Sequence, residues 1–127
     1  MEPPAPAELR LLTDRERALI DGALSFDFPG VDELRAQVPT LRVNSDRFCP
    51  CGCGTVELVA DRVLAPVSTA ANPLPVEAEM IGSGGHPLGG VIVFLDSGYL
   101  GSLEVYSFGG PLELPATEGV DWSGPDE

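Results

Sequence analysis

Three cysteines in five positions, Cys49-Pro50-Cys51-Gly52-Cys53, and the lone histidine, His86, are the side chains of this chain best suited to chemistry. Cys49, Cys51, Cys53 and His86 together supply the ligand set of a Cys3His zinc site. Their spacing argues against the simplest version. Alternate residues of an extended chain lie roughly 6.6 Å apart, whereas two sulfurs on one tetrahedral zinc lie about 3.8 Å apart. Only a chain curled around the ion, as Gly52 and Gly54 would permit, could close that gap. A redox pair is the other reactive option, but the usual spacing is absent and Arg47 is the one nearby base that could lower a thiol pKa. The remaining reading is three reduced thiols packing as small hydrophobes in a tight turn that leads into a strand at Thr55. On that reading no cofactor and no metal are expected, and zinc at these four residues is the alternative. His86 could act as a general base, yet catalysis needs a base held by packing. A histidine beside Pro87 in a glycine-rich stretch reads instead as exposed.

Two further segments suggest chemistry and fail on specifics. Gly82-Ser83-Gly84-Gly85-His86-Pro87-Leu88-Gly89-Gly90 resembles a phosphate loop only in its glycines. It lacks the Gly-Lys-Ser/Thr ending, and the chain contains no lysine. A strand is expected after it, where an anion-binding helix would be needed. The stretch therefore reads as a connector. Glu77 and Glu79 could pass for a catalytic carboxylate pair, but alternating Glu is what the wet face of a strand carries. No catalytic residue is assigned.

Binding is better served than catalysis. Tyr99, Tyr106 and Phe108, with Glu104 among them, are the partner-binding candidates: Tyr106 and Phe108 share the strand face opposite Leu103 and Val105. Exposed aromatics beside carboxylates are common anchors for a protein partner. The competing arrangement has the C-terminal tail, with Leu112, Leu114 and Trp122, folding back over them.

Charge narrows the partner. Seven arginines oppose twenty carboxylates in 127 residues, for a net charge of −13, and no arginine or lysine follows Arg62. Such a chain is repelled by nucleic acid and by anionic membranes unless a basic face is segregated. The arginines, from Arg10 to Arg62, are interleaved with carboxylates and form no such face. Either the charge solvates the surface or an acidic face recruits a basic protein. The start, Met1-Glu2-Pro3-Pro4, is unlike a secretory signal, and the longest apolar run, Val91 to Leu95, is far too short to span a membrane. An odd number of closely packed cysteines is not a secreted disulfide framework. A cytoplasmic protein is expected. Oligomeric state is not legible.

The elements that must position these residues read as follows. Residues 1–127 form one domain, with residues 1–8 and 116–127 expected to be flexible. Thr13-Asp14-Arg15-Glu16 has the spacing of a capping box. Leu19, Ile20, Ala23 and Leu24 follow at helical period, ending near Ser25. Val31, Leu34 and Val38 mark a second short helix, closed by Pro39. Strands are expected around Leu41–Val43, Val56–Leu58 and Val76–Met80, each alternating apolar and polar. Val91–Leu95 is apolar on both faces and so central. Asp96-Ser97-Gly98 turns the chain, with Gly98 left-handed, and the return strand runs from Tyr99 to Phe108. Residues 60–74 read as a long connection. The fold class is α+β: two N-terminal helices on one face of an antiparallel sheet of about five strands.

Three stretches together carry a resemblance: Phe28-Pro29-Gly30-Val31-Asp32-Glu33-Leu34-Arg35-Ala36-Gln37, then Cys51-Gly52-Cys53, then Gly98-Tyr99-Leu100-Gly101-Ser102-Leu103-Glu104-Val105-Tyr106. In that order the chain resembles a family of small actinobacterial proteins of unassigned function, over roughly residues 9–115. The last stretch is also similar to strand hairpins in several small bacterial families, some of them immunity proteins of toxin systems. The resemblance implies a stand-alone cytoplasmic domain and brings no catalytic residue with it. The resulting expectation is a non-catalytic acidic protein that binds a protein partner. A small zinc- or thiol-dependent protein is the alternative.

Overall fold

The capping box at Thr13 forms as its spacing requires. In the computed structural model, which describes residues 9–44, 55–81, 83–107 and 120–124, the Glu16 amide donates to the Thr13 hydroxyl at 3.1 Å, and the Thr13 amide donates to the Glu16 carboxylate at 2.8 Å. Helix α1 (Asp14–Ala23) starts there and buries Leu19, Ile20 and Ala23. Helix α2 (Val31–Gln37) buries Val31, Leu34 and Gln37. Pro39 does not end the helical path at once: a 3-10 turn over Val38–Thr40 tolerates it near its start, where its missing N–H has no partner to lose.

The strands are β1 (Leu9–Arg10), β2 (Arg42–Asn44), β3 (Val56–Val59), β4 (Glu77–Ile81), β5 (Pro87–Asp96), β6 (Tyr99–Ser107) and β7 (Val120–Ser123). They form one sheet in the order β1-β2-β3-β6-β5-β4-β7, with every neighbouring pair antiparallel. The expected α+β class holds, but among the described residues the sheet has seven strands where about five were expected. The two additions are its short edges. β1 has only two residues and therefore no period to read, and β7 lies within the tail read as flexible. β5 is also longer than Val91–Leu95, because Pro87 to Gly90 of the glycine-rich stretch pair with β4 and β6.

One sheet face is apolar: Val43, Leu58, Leu103, Val93, Val91 and Ala78 align across the strands and are buried. They join one core cluster with Leu19, Ile20 and Leu24 of the first helical segment and Val31, Leu34 and Val38 of the second. Trp122 of β7 packs against this cluster. Its indole lies where a Cβ on Gly22 would come within 2.8 Å, which accounts for a glycine inside α1.

Edge strand β1 is tied down by charge. Arg10 reaches the buried Glu16 with two bonds, Nη1 to Oε1 at 2.8 Å and Nη2 to Oε2 at 2.9 Å. Burial raises the Glu16 carboxyl's pKa, but the Arg10 guanidinium and the Thr13 amide outweigh it and hold the group below its ordinary value. A depressed carboxyl stabilises the fold above its unfolded pKa, and that contribution is lost as pH falls through the folded value. Glu16→Gln keeps the cap acceptor and removes the charge. It is expected to cost about 1 kcal/mol at neutral pH, discounted for a half-exposed Arg10. Melting curves against pH should show the gap between variant and wild type closing in acid. A gap independent of pH would show that the charge is irrelevant there.

Candidate partner-binding surface

The sheet face turned away from the helices combines carboxylates with half-buried apolar groups. Pairing registers place Tyr106, Gly90, Glu79 and Asp121 in one row across β6, β5, β4 and β7. The next row holds Glu104, Ile92, Glu77 and Ser123, and Phe94 lies beyond Ile92 on the same strand face. Leu103 and Val105 point inward and Glu104 outward, as the alternation predicts. The Tyr106 ring lies over Gly90, where any Cβ would overlap both the phenol and the Ala78 carbonyl. Burial, then the Glu77 and Glu79 carboxylates, push the Tyr106 phenol above its ordinary pKa, so it stays neutral and able to donate.

Glu79 and Asp121 stand directly opposite each other. Like charges at facing positions destabilise a sheet. Among the described residues no arginine forms an ion pair with Glu77, Glu79, Glu104 or Asp121. Four arginines pair elsewhere: Arg10 with Glu16, Arg17 with Asp21, Arg35 with Asp27 and Asp32, and Arg62 with Asp96. Among the described residues, the negative potential of this face is therefore not offset by a cation on it.

Tyr99 belongs to a different place. It opens β6 opposite Asp96, seven residues from Tyr106, a separation on the order of 23 Å along a strand. The Arg62 guanidinium stacks on its ring at 4.7 Å from the centroid and donates to Asp96 Oδ2 at 2.8 Å. Tyr99 is thus part of the hairpin end of the molecule, while Tyr106 and Glu104 belong to the acidic face. The structure does not bring the three into one site. Phe108 lies outside the described residues.

Cys49, Cys51 and Cys53 also lie outside the described residues. Thr55, the first described residue after them, accepts from the Val105 amide at 2.9 Å, toward the end of β6 away from the Asp96–Tyr99 turn. His86 is exposed. Among the described residues no group of three or more His, Cys, Asp or Glu side chains is placed to hold a metal ion. An open groove of 270 Å³ runs between α1 and the Val38–Thr40 turn, lined by Arg17, Asp21, Leu24, Arg35, Val38 and Pro39. Its charged groups are committed: Arg17 to Asp21, and Arg35 to the carbonyls of Leu24 and Phe26. Among the described residues no helix is long and apolar enough to cross a membrane.

The sequence reading passed over one feature, the 60–74 connection. Val63 and Leu64 are 93% and 77% exposed, and Val67 is 54% exposed. The signal was present: three large aliphatic residues within five positions of an aperiodic segment, with nothing in the pattern to bury them.

Comparison with protein-family models, with curated proteins and with solved structures finds no match to this chain.

Proposed function

We propose that this chain is a non-catalytic, acidic binding protein whose partner is a basic protein. The observation that carries this reading is the outer sheet face: Glu79 opposed to Asp121, with Glu77 and Glu104 beside Ile92, Phe94 and Tyr106, and no arginine paired with those four carboxylates among the described residues. A fold that keeps opposed like charges on a sheet gives up stability, and a cationic surface docked there would relieve the repulsion. The half-buried apolar groups between the carboxylates supply area to desolvate. A net charge of −13 adds long-range steering toward a cation and rejects nucleic acid and anionic lipid. An antidote that neutralises a basic toxin is one instance of this class, and it would act in the cytoplasm.

The test is affinity capture from the native host with the whole chain as bait, followed by reconstitution from purified components. A single basic protein that re-forms a stoichiometric complex is the expected result. Capture indistinguishable from that of an unrelated bait of equal charge would remove the proposal.

A further inference from the structure

The turn from Asp61 to Val67 is ordered by a dense set of bonds, and yet it displays apolar side chains to water. Asp61 Oδ1 accepts from the Val63 amide at 2.9 Å and from the Leu64 amide at 3.2 Å, and the Asp61 carbonyl accepts from the Ala65 amide at 2.9 Å. The Asp61 amide donates to Thr40 Oγ1 at 3.0 Å. Gln37 Nε2 donates to the Pro66 carbonyl at 2.8 Å, and the Ser68 amide donates to the Gly98 carbonyl at 2.8 Å. Arg62 is clamped between Tyr99 and Asp96. Ala65 of the same turn is buried. The backbone is thus fixed to α2, to the 3-10 turn and to the β5–β6 hairpin, while Val63 and Leu64 stay almost wholly exposed and Val67 half so. Val63 and Leu64 forgo nearly all the stabilisation that burial of an aliphatic side chain would supply.

Three adjacent exposed aliphatics on a rigid support have the form of an interface hot spot. Their rigidity lowers the ordering cost of binding. Three occupants are conceivable, and the charge selects among them. An anionic membrane is repelled by −13. A second copy brings the same charge of −13 to the contact and is repelled as well. A basic protein with an apolar pocket gains from both features, because Asp61 is exposed beside the apolar tip, in no ion pair among the described residues, on a chain of net charge −13. We propose that the Asp61–Val67 turn is a docking knob whose Val63 and Leu64 side chains enter an apolar pocket on a basic protein partner. This inference rests on the binding function proposed above and assigns it a contact.

Photocrosslinking in the native host separates the two. A benzophenone side chain is installed singly at Leu64, at Glu104 on the acidic face, and at Ala36 on the exposed side of α2. The expected result is one discrete adduct from position 64 to a basic protein, with none from position 36. An adduct from position 104 or 36 without one from 64 overturns the knob and leaves the binding function standing. Adducts from none of the three overturn both. A position-64 adduct to lipid, to a second copy or within the same chain also overturns the knob. With the cross-linked partner purified, the double variant Val63→Ser, Leu64→Ser should weaken binding roughly tenfold or more with unchanged melting, because both side chains are exposed. Equal affinity for the double variant would refute the knob even where a complex forms.

Discussion

Gln37→Leu is expected to lower stability by about 3 kcal/mol, a fall in melting temperature on the order of 10 °C for a domain of this size. Gln37 has no exposed surface, and its amide is fully used. Nε2 donates to the carbonyls of Pro66 and Gly98 at 2.8 and 3.0 Å, and Oε1 accepts from the buried Leu100 amide at 2.8 Å. Leucine of similar volume fills the space and leaves all three backbone groups without that partner. The Leu100 amide bears most of the cost, since it is buried and water cannot replace the bond. Because Pro66 is one of the two carbonyls, the 60–74 connection should loosen first. Hydrogen exchange should therefore rise at Val63 to Ser68 before it rises in α1. A melting temperature within a degree or so of wild type would mean that water substitutes for the amide and that the anchoring is weak.

Gly98→Ala is expected to cost about 3 kcal/mol, whereas Gly85→Ala should cost about 1 kcal/mol. Both glycines are left-handed, at φ +87° and +81°. They differ in surroundings. A Cβ on Gly98 would lie 2.4 Å from Val67 Cγ2 and 2.6 Å from the Ser68 carbonyl oxygen, whereas a Cβ on Gly85 would meet nothing within 4 Å. The difference between the two variants isolates how tightly the 60–74 connection is seated on the hairpin. Val67 can rotate away, but the Ser68 carbonyl belongs to a backbone already bonded to Gly98. Denaturant titration of both variants measures the difference. Equal losses would show that only the backbone conformation matters at Gly98 and that the connection is free to shift.

Much of the architecture could be read from local pattern, because local physics decides it. The Thr13/Glu16 spacing marked the start of α1, since a capping box is complete within four consecutive residues. Alternation at Ala78 and Met80, and at Leu103 and Val105, located strands and their buried faces. The turn at Asp96-Ser97-Gly98 followed from the glycine, although Ser97 also adopts a positive φ of 52°. What escaped depends on distant partners. β1 and β7 are strands because β2 and β4 offer them edges, and neither carries enough residues to show a period. Gln37 ends a helix, where a polar residue ordinarily signals exposure. Its partners at Pro66, Gly98 and Leu100 lie 29, 61 and 63 residues away. The glycine-rich stretch was split by the fold: Gly90 is a strand residue kept small by the Tyr106 ring. Of the binding candidates, Glu104 and Tyr106 stood on the expected face, but Tyr99 was separated from them by the length of the strand. The Val63–Leu64 display was the largest omission, because a loop was presumed to be a connector and nothing more.

On the proposed binding function, the two surfaces would divide the work in a way that kinetics can resolve. Charge acts at a distance and governs encounter, whereas desolvated apolar contacts govern residence. The most direct test of the account is therefore the association and dissociation rates of the reconstituted complex at about 0.05 M and about 0.5 M salt, for the wild type and for the Val63→Ser, Leu64→Ser variant. The account expects the association rate to fall by roughly tenfold or more with salt while the dissociation rate hardly changes. It expects the variant to dissociate faster at either salt with its association rate preserved. A complex whose association ignores salt, or whose dissociation ignores the loss of both aliphatic side chains, would contradict it.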